Sequence, residues 1–268
     1  MKWVLRAIRF SAVTVGIVVL TSLGIDASQY LTGSQSALGV LVDKATTGAC
    51  PEGMVAVSNS DRTYCIDAYE AKVGENCPHA LPATAGQTAD NIASGACTPQ
   101  SVEEGMPWIN VSFHQAKELC ARAGKRLPTN DEWYRAALGT PSNSCVVKGA
   151  GVEKVSTKSC VSGVGAYDMV GNAWEWVDAS VTNGEYGGAT LPNEGYVANA
   201  DMSGVPTLTD SAPNQTFGSD YFWADPQGSY VMMRGGFYGS GEDGGIYAVH
   251  SKVDAAFSGN AISFRCVQ

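Results

Sequence analysis

Residues 124–133 read GKRLPTNDEW and residues 167–176 read YDMVGNAWEW. In the first segment, Thr129 and Glu132 have the spacing of a capping box, in which a hydroxyl and a carboxylate satisfy the free backbone N–H groups at a helix start. Gly139 supplies a residue that ends a helix easily. The spacing therefore predicts a short helix after Thr129, and the glycine- and aromatic-rich second segment predicts irregular chain with short strands.

A second helix is predicted just before this one. Ser112 and Gln115 form another capping box, and Gly124 follows as the terminator. Residues 74–105 lack a long apolar period and are predicted to be a loop held by cysteines. The predicted strands are Met54–Val57, Tyr64–Asp67, Tyr167–Val170, Trp174–Val177, Tyr230–Arg234, Gly245–Val249 and Ala261–Val267. Two helices and many short strands indicate a loop-rich α+β domain.

The cysteine pattern indicates a disulfide framework in an exported protein. The chain has eight cysteines and no C-x-x-C pair, so neither a zinc ribbon nor a thioredoxin-type redox centre is indicated. Spacing alone leaves the connectivity open. Neighbours along the chain suggest the pairs Cys50–Cys65, Cys77–Cys97 and Cys145–Cys160, which leaves Cys120 and Cys266.

The N-terminal segment has the pattern of an export signal. Lys2, Arg6 and Arg9 precede an uncharged apolar run, Phe10–Ile25. We interpret residues 1–27 as a signal peptide or an uncleaved membrane anchor, 28–49 as a stalk or linker, and 50–268 as the folded domain. The protein is then extracytoplasmic, either secreted or anchored at the cell surface, and it meets the membrane only through this segment.

Composition excludes several other functions. The formal net charge is −9 and the sequence pI is about 4.8, whereas nucleic acids and anionic membranes bind basic surfaces. The three histidines, His79, His114 and His250, are widely separated, so a histidine-built zinc site is not expected.

Several segments together resemble the formylglycine-generating enzyme-like (sulfatase-modifying factor) domain. They are Met54-Val55, PWINVS at 107–112, the two segments quoted at the outset, Arg234-Gly235-Gly236 and Phe264-Arg265-Cys266. The resemblance covers roughly residues 50–267. It implies an elaborated C-type-lectin-like fold, a disulfide between Cys120 and Cys266, and a structural calcium site. The calcium ligands it implies are Asp168, Gly171, Ala173 and Glu175, which would offer hard oxygen donors; the alternative is that Asp168 and Glu175 are solvated or capping acids.

Catalytic members of this family hold copper between two cysteines spaced C-x-x-x-x-C after an R-G-G-like segment. The matching positions here are Ser240 and Gly245, which cannot supply the soft thiolates that select Cu(I). We therefore predict no copper and no catalytic residues.

The resemblance gives the C-terminal segment, about 237–262, a binding role. In a branch of the same fold, the variable proteins of diversity-generating retroelements, this region carries the diversified contact residues. The matching positions here are Phe237, Tyr238, Gly239, Ser240, Asp243, His250, Ser251, Val253, Asp254, Gly259 and Asn260. Tyrosine among small polar residues is also typical of antibody contact surfaces.

We therefore predict an exported, non-catalytic protein that binds a surface ligand, either a protein or a glycan, and whose binding segment is diversified. The alternatives are a structural module of the cell envelope and a formylglycine-generating oxidase, which the missing cysteine pair disfavours. Tyr221 and Trp223 either border the same binding surface or belong to the core.

Overall fold

A computed structural model of the protein describes residues 50–59, 62–156 and 159–268. The export segment and linker predicted for residues 1–49 lie outside these residues. Four disulfides join Cys50–Cys65, Cys77–Cys97, Cys120–Cys266 and Cys145–Cys160. The connectivity suggested by the sequence is confirmed, and a frame of this kind is typical of proteins that fold in an oxidising, extracytoplasmic compartment.

The described chain forms an α+β domain with three α-helices, where the sequence predicts two. The helices are α1 (Ala85–Ala93), α2 (Phe113–Arg122) and α3 (Asn130–Ala137). Both predicted capping boxes are present, at the starts of α2 and α3. Helix α1 lies in the region predicted to be a loop. The sequence does not indicate this helix, because its buried residues are the polar Thr88 and Asn91 and they produce no apolar period. None of the helices in the described chain is long and apolar enough to cross a membrane.

One large, curled sheet dominates the domain. The strands are β1 (Met54–Ser58), β2 (Thr63–Asp67), β3 (Lys72–Val73), β4 (Pro99–Gln100), β5 (Trp174–Thr182), β6 (Glu185–Tyr186), β7 (Ala189–Thr190), β8 (Gly195–Ala200), β9 (Pro206–Asp210), β10 (Tyr221–Ala224), β11 (Ser229–Arg234), β12 (Val249–Val253) and β13 (Ile262–Ser263). In the large sheet the order is β7-β6-β5-β11-β12-β10-β8-β9, with β13 also paired to β5. The pairs β1–β2 and β3–β4 form two small sheets.

Three strand predictions differ from the structure. Tyr167–Val170 is not a strand, since Tyr167 forms only an isolated bridge with Val161 and Asp168 has a positive φ of 55°. The strand predicted at Gly245–Val249 lies four residues further along the chain, since β12 begins at Val249. Ala261–Val267 shortens to Ile262–Ser263, after which Arg265 turns inward to reach Glu175.

Two apolar clusters cover opposite faces of the large sheet. One gathers α2 residues with Trp108, Trp176, Met233 and Phe264, and the other gathers α3 residues with Val177, Phe222 and Val249. Side chains alternate between the faces along each strand. The sheet therefore fixes which residues of β10 and β12 enter the core and which reach the surface.

Candidate functional site

The first part of the C-terminal segment is a tight turn held by backbone and hydroxyl contacts. Ser240 Oγ accepts a hydrogen bond from the Phe237 N–H at 2.9 Å. The N–H of Tyr238 donates to the carbonyl of Asn172 at 3.0 Å, and the carbonyl of Tyr238 accepts from the N–H of Gly149 at 2.7 Å. The turn is thus fixed against the segment that contains G-N-x-W-E-W.

A cleft of about 550 Å³ opens beside this turn. Its lining is mostly polar and small: Asn143, Cys145, Val147, Lys148, Gln215, Gly218, Ser219, Gly241, Glu242 and Gly244. Lys148 and Glu242 lie across from each other on exposed chain, with Nζ and Oε1 3.9 Å apart. The volume of the cleft falls in the range of small-molecule sites, but such sites are lined mainly by apolar and aromatic side chains, and no aromatic residue of the described chain lines this cleft.

Ser240 and Gly245, the two positions that the family resemblance matches to the copper cysteines, lie next to residues of this cleft, and neither offers a thiol. Ser240 uses its hydroxyl to hold the turn. Gly245 packs against the carboxylate of Asp220, so a Cβ added at position 245 would clash with that carboxylate. All eight cysteines of the chain are in disulfides. The site therefore lacks a thiolate pair, and its geometry closes the space that a side chain at position 245 would need.

Asp220 is a buried acid that the sequence analysis missed. Its Oδ2 accepts from the N–H of Tyr247 at 2.6 Å. Burial raises the pKa of Asp220 to about 7, although the N–H groups of Tyr247 and Ala248 and the charge of Arg234 act to lower it; the nearby Asp243 raises it further. No local motif around Asp220 signals this position, because the contact with Gly245 depends on how distant strands pair.

Replacing Asp220 with asparagine is expected to change the pH dependence of stability. The folded protein keeps the Asp220 proton up to about pH 7, whereas the unfolded chain releases it near 3.8. The contribution of this protonation difference at Asp220 to the free energy of unfolding is therefore fully present below about pH 4, and it is lost as the pH rises through 7. Asparagine does not titrate, so the native protein should lose stability relative to Asp220→Asn between pH 4 and 8.

Denaturant unfolding of both proteins across this range measures the difference. Burial lowers the pKa of His250 to about 4, which gives an opposite slope, but that slope is common to both proteins and cancels. A difference that stays flat, or that favours the native protein as the pH rises, would contradict the prediction.

The predicted contact residues fall into two groups. Phe237, Tyr238, Gly239, Ser240 and Asp243 belong to the turn beside the cleft. The others, His250, Ser251, Val253, Asp254, Gly259 and Asn260, lie along β12 and the loop that follows it. Gly239, Asp254 and Asn260 are exposed, whereas Ser251 is fully buried and its hydroxyl donates to the carbonyl of Trp223 at 3.4 Å. The side chain of Ser251 is therefore not available for surface contacts.

The residues predicted to bind calcium surround a buried ion pair. Both oxygens of Glu175 accept hydrogen bonds from Arg265, with Nη2–Oε1 at 2.6 Å and Nε–Oε2 at 2.7 Å. Glu175 Oε2 also accepts from the indole N–H of Trp133 at 2.6 Å. Arg265 thus already balances the charge of Glu175, and a calcium ion at this carboxylate would share its oxygens with the guanidinium.

Asp168 is also engaged, and its carboxylate accepts from the N–H of Ser156 at 2.8 Å. Burial raises the pKa of Asp168 to about 6. Within the described ranges, no cluster of three or more His, Cys, Asp or Glu side chains is arranged to hold a metal. That finding concerns side chains only and does not bear on the backbone carbonyls of Gly171 and Ala173. The calcium site therefore stays a prediction.

Sequence comparisons bear on the whole described domain. The family described as "Sulfatase-modifying factor enzyme 1-like domain" matches residues 53–163 and 148–268. The chain is similar to "Inactive C-alpha-formylglycine-generating enzyme 2" of Bos taurus, with 29% identity over 122 residues, and to that of Mus musculus, with 26% over 123 residues. These matches cover 36% and 37% of this chain and 40% of each relative, so the chain spans less than half the length of either relative.

Two solved structures are also similar. The "Major Tropism Determinant U1 Variant" has a TM-score of 0.45 and 18% identity, covering 82% of this chain and 53% of that one. The "Treponema denticola variable protein 1" has a TM-score of 0.41 and 14% identity, covering 81% of this chain and 99% of that one.

Proposed function

Because the chain belongs to the sulfatase-modifying factor enzyme 1-like domain family, we propose that it keeps the scaffold of that family and serves as an exported, non-catalytic ligand-binding protein. One observation carries the proposal: Ser240 and Gly245 stand where catalytic members have their cysteine pair, and every cysteine of the chain is in a disulfide. Cu(I) is selected by thiolate ligands, which a disulfide cannot provide.

The arrangement around the cleft supports binding over catalysis. Asp220 takes the space beside Gly245, and the turn from Phe237 to Ser240 is fixed by its own hydrogen bonds. In many proteins a rigid scaffold positions loops, and the loops carry the binding residues. Here the frame is the disulfide-linked core, and the ligand surface is formed by the C-terminal segment, about 237–262.

Copper binding tests the non-catalytic part of the proposal. We expect the full chain, with its disulfides formed, to leave Cu(I) with a competing chelator such as bicinchoninate, and to leave a cysteine-containing sulfatase peptide unoxidised under oxygen. The variant Ser240→Ala is the matched control, since it should behave identically if position 240 has no metal role. Stoichiometric Cu(I) binding together with peptide oxidation would overturn the proposal.

We further propose that a retroelement diversifies the C-terminal segment. Tyrosine, serine, glycine, aspartate and asparagine at its surface positions support this, because they give adaptable contact surfaces. The flanking DNA should then contain a near-identical template repeat whose adenines coincide with the codons that vary. A gene neighbourhood with neither the repeat nor a reverse transcriptase would refute diversification and leave the binding role intact.

A further inference from the structure

Four aromatic side chains share one face of the large sheet, across the neighbouring strands β8, β10 and β12. Tyr196 of β8 pairs with Tyr221 of β10, and Trp223 of β10 pairs with His250 of β12. Since side chains alternate along a strand, Tyr221 and Trp223 point to the same face. Phe222, between them, enters the core on the opposite face. We call Tyr196, Tyr221, Trp223 and His250 the aromatic strip.

The rings of the aromatic strip form a continuous row. The centroid distances are 5.0 Å for Tyr196–Tyr221, 4.9 Å for Tyr221–Trp223 and 6.1 Å for Trp223–His250. The ring planes turn along the row: Tyr196 and Tyr221 meet edge to face at 86°, Tyr221 and Trp223 are tilted by 51°, and Trp223 stacks on His250 at 28°. The buried Trp174 supports the row from the core, at 5.3 Å from Trp223 and 5.8 Å from His250. All four strip residues are half-buried. The row is therefore rigid and partly open to solvent.

Polar groups border the strip at Tyr221. Lys252 Nζ forms an ion pair with Glu194 Oε2 at 2.7 Å. The hydroxyl of Tyr221 donates to Glu194 Oε1 at 3.5 Å. Burial lowers the pKa of His250 to about 4, so the ring is neutral at pH 7. The strip thus presents uncharged rings next to a hydroxyl and a charge-balanced pair.

This combination fits one ligand chemistry best. The C–H groups of a pyranose ring carry slight positive charge and match the negative faces of aromatic rings. Its hydroxyls can both donate to a carboxylate and accept from an ammonium group. A protein partner that covered these rings with apolar side chains would instead desolvate the Lys252–Glu194 pair without replacing its hydrogen bonds to water, which is costly. An anionic ligand would need a free cation, and Lys252 is already paired.

We propose that the aromatic strip is a binding platform for neutral, pyranose-containing glycans. The inference rests on the proposed function and names the ligand class for part of its surface, because His250 is also one of the predicted contact residues. The other three strip residues lie outside the segment about 237–262; Tyr221 and Trp223 were expected either to border the binding surface or to belong to the core, and Tyr196 is an addition. Glycan recognition here uses ring faces and the Glu194–Lys252 pair, with no metal involved.

Titration with neutral hexaoses tests the platform. The probes are cello-, laminari-, manno- and chitohexaose, and the readouts are tryptophan fluorescence and calorimetry on the full chain. We expect at least one probe to bind with a Kd of roughly 0.1–1 mM, and Tyr221→Ala to weaken that binding about tenfold. Tyr69→Ala is the matched control, because Tyr69 is also half-buried and stacks on Tyr167 at 5.0 Å; it should leave binding unchanged.

Glu194→Gln is the second variant, since it changes an exposed rim group without removing a ring. It should weaken binding severalfold while the near-ultraviolet circular dichroism stays that of the native protein. No binding of any probe at about 5 mM, or equal loss in Tyr221→Ala and Tyr69→Ala, would overturn the platform. That result leaves the proposed function standing, because the proposed function is refuted by copper binding and peptide oxidation, which are separate readouts.

Discussion

Replacing Arg265 with methionine is expected to reduce the free energy of unfolding by about 3–5 kcal/mol, the usual cost of removing one partner from a buried ion pair. Arg265 is fully buried, and its guanidinium makes two hydrogen bonds to Glu175. It also donates to the carbonyl of Asp67 at 2.9 Å and to that of Tyr167 at 2.8 Å. Methionine fills much of the volume but donates to none of these acceptors, and of the two Glu175 oxygens only Oε2 keeps a hydrogen bond, from the indole N–H of Trp133.

The loss is large because Arg265 serves three acids. Burial alone would lower the pKa of Arg265, but the carboxylates of Glu175, Glu70 and Asp168 raise it above its ordinary value. Burial raises the pKa of Glu70 well above its usual range, and the charges of Glu175 and Asp168 add to this, while Arg265 opposes it. Without Arg265 the carboxylate of Glu175 would be buried without its compensating charge.

Guanidinium-induced unfolding of the full chain measures the effect. Lys117→Met is the control: its ion pair with Asp178 is exposed, so the change should stay below about 1 kcal/mol. If Arg265→Met does not fold, the double variant Arg265→Met with Glu175→Gln should recover measurable structure, because it also removes the stranded charge. A cost for Arg265→Met no greater than that of Lys117→Met would show that the buried pair does not hold this part of the domain.

Local sequence signals predicted local structure well. The capping boxes at Ser112 and Thr129 predicted α2 and α3, because each motif satisfies backbone groups within one turn of itself. Helix α1 has a related signal, since Thr84 accepts from the N–H of Gln87. It was missed because its inner face is polar: Thr88 accepts from the indole N–H of Trp108, a residue far along the chain.

The candidate site was predicted only where one segment supplies it. The C-terminal segment could be placed from its motifs, and Gly245 could be recognised as a missing thiol. The contact between Asp220 and Gly245 could not, because it depends on the parallel pairing of β10 with β12 across a long stretch of chain. The aromatic strip could not be predicted for the same reason, because Tyr196 and His250 are brought beside β10 by the order of strands in the sheet.

Removing the Cys120–Cys266 disulfide is expected to destabilise the protein more than removing Cys77–Cys97. The first closes a loop with a sequence separation of 146 residues and the second one of 20. Under the loop-closure model, the lost constraint on the unfolded chain is about 5 kcal/mol for the long loop and about 3 kcal/mol for the short one.

The folded state adds to this difference. Cys120 and Cys266 are both fully buried, and the disulfide ties α2 to the chain end that carries Arg265. The N–H of Cys266 donates to Oδ2 of Asp67 at 2.9 Å, and Val267 forms bridges with Ile66 and Arg126. Losing the crosslink therefore releases the constraint that keeps Arg265 against Glu175. The Cys77–Cys97 disulfide packs against the same apolar cluster, but it joins the two ends of the segment that contains α1 and does not hold the chain that carries Arg265.

The double variants Cys120→Ser with Cys266→Ser, and Cys77→Ser with Cys97→Ser, form a matched pair, because each removes two sulfurs and leaves the other three disulfides able to form. Their free energies of unfolding, measured in denaturant under oxidising conditions, should differ by about 2 kcal/mol or more, with the long-loop variant the weaker. An equal loss, or a larger loss from the short loop, would mean that strain and residual structure outweigh loop closure in this chain. The Cys77–Cys97 disulfide would then stabilise the domain as much as the Cys120–Cys266 disulfide does.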